Sequence, residues 1–385
     1  MDRGIRVILS ACLIILGCFY GRGIAQAAQP QQPLGLVVKS IEFNLLDNDS
    51  FPLVWCHLLG KDFKKGIEDI KQRYPHLSKF LEEAEEKAGE GGTSEDDFAK
   101  ITLANTSNQV LRGVRVEVCL QEGYSDPAID MIDINPGQDA VVKLTPAFSD
   151  KIFKVAEQKP TNIYIKITSG DGKVIYEKTK KITVLSKNDM VWMKKELFDT
   201  AAGIVTFVTP HDSKRTIDRL LSYAANMMPT RSLGGYQEIQ GLTHMQVVEM
   251  QAEAIYNTLQ TTGVKYVNTP LSFGKNAQRI KFPSESLMDL SGNCIEGTLV
   301  FASAFESLGM RPIIFLVPGH AFVGVRQWHN ENDFIVIETT MVGTNYYAAA
   351  RQAAMQTFLR YQNSPECRII DVEVLRMLGI TPAPE

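Results

Sequence analysis

Between residues 101 and 185 the apolar positions fall on every second residue, and this alternation narrows the fold more than any other feature of the chain. Val114, Val116, Val118 and Leu120 alternate with Arg115, Glu117 and Cys119, and Ile163, Ile165 and Ile167 repeat the pattern. A period of two sends one row of side chains to a buried face and the next to a wet one. Turn chemistry separates the runs at Asn105-Thr106-Ser107-Asn108, Asn135-Pro136-Gly137 and Ser169-Gly170-Asp171-Gly172. With strand-like stretches at 36–44, 101–104, 132–134, 141–144, 174–176 and 182–185, and a further apolar stretch at 51–59, the spacing predicts an antiparallel β-sandwich.

Two segments break this texture. From 61 to 88 apolar residues recur at three or four (Phe63, Ile67, Ile70, Tyr74, Leu77, Phe80, Leu81), which predicts a helical insertion near 61–97. It ends in an acidic, glycine-rich connector. That connector has no DxDxDG-type loop and reads as a solvated helix end rather than a metal site. Beyond residue 187 the pattern becomes helical, with an apolar run at 191–208 and amphipathic stretches at 217–228 and 247–259. A boundary near 185–189 divides the chain into a sandwich domain, 35–186, and an α+β domain, 190–385.

The chain has 385 residues and a formal charge of −4, with 44 acidic against 40 basic side chains. Such a balance offers no long-range attraction to nucleic acid or anionic lipid. At the amino end, Arg3 and Arg6 precede an apolar run over 7–20 and then Ala25-Gln26-Ala27, the order of a secretory signal peptide cleaved after Ala27. The run is shorter than the roughly 18–20 residues that span a bilayer. Ile15-Leu16-Gly17-Cys18 resembles a loose lipobox, so membrane attachment enters only through lipidation at Cys18. Removing 1–27 takes away three arginines and one aspartate and leaves a mature charge of −6. The mature chain keeps Cys56, Cys119, Cys294 and Cys367, and export is compatible with a Cys56–Cys119 bridge. No CxxC or Cys/His spacing calls for zinc, and no cofactor motif is present.

The chemistry concentrates further on. Ser291 and Asn293 are helix N-cap residue types, the run to Leu308 lacks a breaker beyond Gly297, and Gly309 sits where a C-cap glycine belongs. Cys294 therefore falls in the first turn of a helix, where unpaired N–H groups and the macrodipole favour a thiolate. His320 opens a strand after Pro318-Gly319, and Glu338 ends the next apolar strand. Adjacent antiparallel strands can bring both in front of the helix, with His320 as base and acid and Glu338 fixing its tautomer. An ion pair of Glu338 with Arg279 or Arg326 is the competing structural role.

Gly292-Asn293-Cys294, Gly319-His320-Ala321 and Glu338-Thr339-Thr340, in this order and preceded by Pro283-Ser284-Glu285-Ser286-Leu287, resemble the motifs of the transglutaminase-like superfamily of papain-like cysteine enzymes. The similarity is specific over roughly 278–341. It implies an α+β, papain-like fold for 190–385, in an exported bacterial protein, and acyl transfer at an amide or peptide bond through a thioester on Cys294. Glu338 stands where the family most often has Asp. Gln278, upstream of the cysteine, is the candidate for the second oxyanion donor beside the Cys294 N–H. The turn and the Asn135-Pro136-Gly137-Gln138 step of the first domain resemble immunoglobulin-like modules of exported bacterial proteins, by composition more than by motif.

Export and the absence of a calcium-loop motif favour hydrolysis, as a peptidase or amidase, over cross-linking. Peptide stems of the cell wall and exported proteins both fit as substrates. The alternative is an inactive envelope binding or scaffold protein. His211, His244 and His329 lack metal spacing, residues 346–357 read as a packing helix, and Cys367 reads as structural.

Overall fold

The computed structural model describes residues 35–46, 48–57, 59, 64–75, 78–79, 81–82, 97–192, 194–195, 198–268, 277–328 and 333–385. The leader with Cys18, most of the acidic connector and His329 lie outside them. The chain is a mixed α+β protein with several antiparallel sheets. Among the described residues no helix is long and apolar enough to cross a membrane.

The first half holds strands β1 (Leu36–Phe43), β2 (Ser50–Phe51), β3 (Ala99–Asn105), β4 (Leu111–Leu120), β5 (Ala128–Ile134), β6 (Asp139–Leu144), β7 (Lys159–Thr168) and β8 (Val174–Val184). They form a three-stranded sheet in the order β1-β3-β6 and a five-stranded sheet in the order β2-β8-β7-β4-β5. The buried rows of β4 and β7 are the isoleucines and valines that the alternation marked. The two runs at 174–176 and 182–185 are one strand, because β8 pairs with β7 along nearly its whole length and the polar residues between the runs are exposed or half-buried. The stretch at 51–59 yields only one strand residue, Phe51, before Pro52 turns it into a 3-10 segment, Leu53–His57. Helix α1 (Lys64–Arg73) opens the described part of the insertion.

Cys56 and Cys119 are unbridged. Cys119 lies between inward-facing Val118 and Leu120, so the pleat turns it away from the core that Cys56 adjoins.

In the second half the apolar run at 191–208 is not a long helix. It folds as β9 (Asp189–Val191), a hairpin of β10 (Lys194–Lys195) with β11 (Phe198–Asp199), and a 3-10 segment, Thr200–Phe207, buried on every side. The segment Thr-Ala-Ala-Gly-Ile-Val-Thr-Phe is apolar all round and rich in β-branched residues, which weakens the α-helical preference. Gly203 is required here, since an added Cβ would lie 2.6 Å from a Val54 methyl. This contact joins the two halves, and one apolar cluster runs through both.

Helices α2 (Thr216–Met227) and α3 (His244–Thr261) fall where the amphipathic stretches placed them. Then come β12 (Lys265–Tyr266), β13 (Ala277–Arg279), α4 (Pro283–Asp289), β14 (Ser291–Gly292) and α5 (Cys294–Ser307). The closing sheet has the order β17-β16-β15-β18, from β15 (Pro312–Val317), β16 (His320–Arg326), β17 (Phe334–Ile337) and β18 (Arg368–Asp371), with α6 (Tyr347–Tyr361) and α7 (Val372–Met377). β15 is buried at all six positions, as a central strand covered on both faces must be. Helix α5 packs on β15 and β16, with residues 298–305 all buried. This packing sets the amino end of α5 against the start of β16.

Candidate active site

Cys294 is the first residue of α5, and a capping box fixes it there. Asn293 Oδ1 accepts from the Glu296 N–H at 3.0 Å, and Glu296 Oε2 accepts from the Asn293 N–H at 2.9 Å. The box satisfies two orphan donors of the helix start and leaves the Cys294 N–H outside it. The other oxygen of Glu296 accepts from the Lys281 N–H at 3.0 Å, which ties the helix start to the segment after β13. The Cys294 carbonyl accepts from Thr298 Oγ1 and Thr339 Oγ1.

His320 enters from a tight hairpin. Val317 pairs with His320 across β15 and β16, and Pro318-Gly319 makes the turn with Gly319 at φ +71°. Proline followed by a residue at positive φ is the type II turn signature, which is why glycine stands there. β17 pairs with β16, and Glu338 follows it directly. Glu338 Oε2 lies 2.7 Å from His320 Nε2, while its Oε1 accepts from Thr340 N–H at 3.1 Å and Thr340 Oγ1 at 2.6 Å. Thr340 thus fixes which oxygen faces the imidazole. With Nε2 turned to Glu338, Nδ1 is the ring nitrogen left for the hydrogen bond to Cys294.

Burial works to lower the pKa of His320, but hydrogen bonds to Cys294 and Glu338, together with their charges, outweigh it and push His320 up to about 10. Glu338 moves the other way. Its burial favours the neutral acid, yet the hydrogen bond and charge of His320 and the two bonds from Thr340 hold the carboxyl below its usual range. Glu338→Gln keeps the shape and removes the charge. In that variant the His320 titration, followed by NMR of the ring Cε1–H, falls by at least about 1.5 units.

Glu338 is in hydrogen-bond contact with His320, and His320 with Cys294. The competing arginines pair elsewhere, Arg279 with Glu157 and Arg326 with Asp371. Gln278 sits in β13, opposite Met190, and its Oε1 accepts from Trp192 Nε1 at 2.9 Å. Among the described residues no hydrogen bond joins it to Cys294. The other thiols are pushed up by desolvation, Cys367 to about 11. His244 stacks on Trp328 with ring centroids 3.9 Å apart. Among the described residues no group of three His, Cys, Asp or Glu side chains could hold a metal.

Sequence reasoning missed two contributors. Glu296 was visible as the Asn-x-x-Glu spacing of a capping box. Tyr266 was not, because only the parallel pairing of β12 with β14 brings it opposite Gly292, two residues before the thiol. Its phenol is raised by burial and then by the charges of Cys294 and Glu338. In comparisons with known proteins, no family model and no curated protein matches the chain.

Proposed function

We propose that this chain is an exported, transglutaminase-like cysteine enzyme that hydrolyses amide or peptide bonds through a thioester. The reading assigns 190–385 to the catalytic domain and 35–186 to an immunoglobulin-like sandwich that positions it. The observation that carries it is the hydrogen-bonded line from Glu338 through His320 to Cys294 at the amino end of a buried helix.

With His320 held protonated at neutral pH, an imidazolium faces Cys294, and the reacting form of the thiol is the thiolate. Cys294 Sγ attacks the carbonyl carbon, and the negative charge that develops on oxygen faces the Cys294 N–H and the helix amino end. As the C–N bond breaks, His320 gives its proton to the leaving amine, and the thioester remains. Neutral His320 then takes a proton from water, whose oxygen attacks the thioester. Sγ leaves as thiolate, the acid is released, and His320 is again charged.

The test is cysteine labelling by iodoacetamide at pH 6 under reducing conditions, resolved by mass spectrometry. Cys294 labels at least about tenfold faster than Cys56, Cys119 and Cys367. Equal rates would retire the enzyme reading in favour of a non-catalytic envelope binding protein.

A further inference from the structure

A cleft lined by Gly292, Asn293 and Gly297 lies beside the first turn of the helix that carries the nucleophile, and the chemistry above does not use it. Its walls come from the end of α3, from β12, α4 and β14, and from the first turns of α5. They are largely apolar, with Leu287, Val300, Phe301 and Val342 among them. The cleft is narrow and opens to solvent on one side, with room for one small side chain. Gly297, one turn beyond Cys294, lets the wall approach the segment after β17, since a Cβ there would lie 2.9 Å from Thr339 Oγ1. Tyr266 belongs to both places. It lines the cleft, and it feels the charges of Cys294 and Glu338.

One polar group is left over in this apolar setting. Ser286 lines the cleft, is only 4% exposed, and its Oγ has no hydrogen-bond partner among the described residues. A buried hydroxyl without a partner carries an unrecovered desolvation cost, so such groups mark places where a further partner binds. The rim carries the exposed ammonium of Lys265, which repels a cationic side chain.

Building on the enzyme reading, we propose that this cleft is the subsite for the side chain next to the reacting carbonyl, and that it selects a β-branched, uncharged residue. Threonine meets both features, with the shape of valine for the apolar walls and a hydroxyl for Ser286. Valine fits the walls alone. Glycine leaves the cleft unfilled, and lysine and aspartate bring a charge into it.

N-acetyl aminoacyl chloromethyl ketones of threonine, valine, glycine, aspartate and lysine test this. In each case Cys294 Sγ forms the C–S bond as chloride leaves, and the rate is read by intact mass and divided by the iodoacetamide rate of the same protein. The threonine and valine reagents react at least about tenfold faster than the other three, and threonine outpaces valine by about three- to tenfold. Ser286→Ala removes the threonine advantage while valine keeps its lead over glycine, and Leu287→Trp, on the half-buried wall, removes both preferences. Rates within about threefold across the series, with Cys294 still labelled preferentially by iodoacetamide, would overturn the subsite and leave the enzyme reading standing. A threonine advantage that survives in Ser286→Ala would overturn the assignment of Ser286. Loss of preferential iodoacetamide labelling overturns the enzyme reading itself, and the subsite falls with it.

Discussion

Replacing His320 by alanine slows iodoacetamide alkylation of Cys294 at pH 6 by about a hundredfold. The imidazole is held charged up to about pH 10 by its bonds to Cys294 and Glu338 and by their charges, so at pH 6 the thiolate faces a cation. A hydrogen bond to a charged group in a partly buried setting contributes about 1.5–3 kcal/mol, and about 2.7 kcal/mol is a hundredfold in rate. Cys56, Cys119 and Cys367 label alike in both proteins, which separates loss of the cation from loss of the fold. A Cys294 rate within threefold of wild type at pH 6 would show that His320 does not activate the thiol.

The same pair carries a stability signature of fixed sign. His320 is raised from an ordinary 6.5, so its contribution is fully present below that value and disappears as the pH climbs through about 10. Glu338 is lowered, so its contribution is present above the ordinary carboxyl range and is lost in acid. The melting-temperature gap between wild type and His320→Ala therefore narrows from pH 6.5 to 10.

What could be read from the sequence follows from how far apart the cooperating residues lie. The strands of the first half were legible because alternation is a local signal, and α5 was legible because its cap and its terminal glycine flank it directly. The meeting of Cys294, His320 and Glu338 was legible because one helix and two successive hairpin-linked strands carry them. The run at 191–208 was misread because an apolar stretch buried on all sides has no face to give it a period. β18 passed unread, since the four residues Arg368–Asp371 make too short a run to declare a partner. Tyr266 and the cleft behind it depend on a two-residue parallel pairing between segments 26 positions apart, for which no local pattern exists.

Asp371→Ala costs about 3–5 kcal/mol of folding stability. Asp371 is 2% exposed, and its Oδ2 accepts from Arg326 Nε at 3.0 Å and Nη2 at 2.8 Å. Arg326 is itself only 4% exposed, so the truncation takes two charge-assisted hydrogen bonds from a buried cation. The same carboxylate caps α7 through Val374 N–H at 3.3 Å, adding about 1 kcal/mol to the loss. Beside it, Arg311 pairs with Glu373, which accepts from Tyr74 Oη at 3.0 Å and pairs with Arg73 at 2.7 Å. The cluster therefore fastens the insertion helix α1 to the closing sheet. Urea denaturation checks the magnitude, and the double replacement Arg326→Met with Asp371→Leu separates its causes. Because it removes both charges and fills the space, the double variant loses only about 1–2 kcal/mol, mostly the cap. A double variant as unstable as Asp371→Ala would show that packing, not an unpaired charge, sets the cost. β16 holds His320 at one end and Arg326 at the other, so both variants label Cys294 at the wild-type rate below their melting temperature and lose that rate only as the sheet opens.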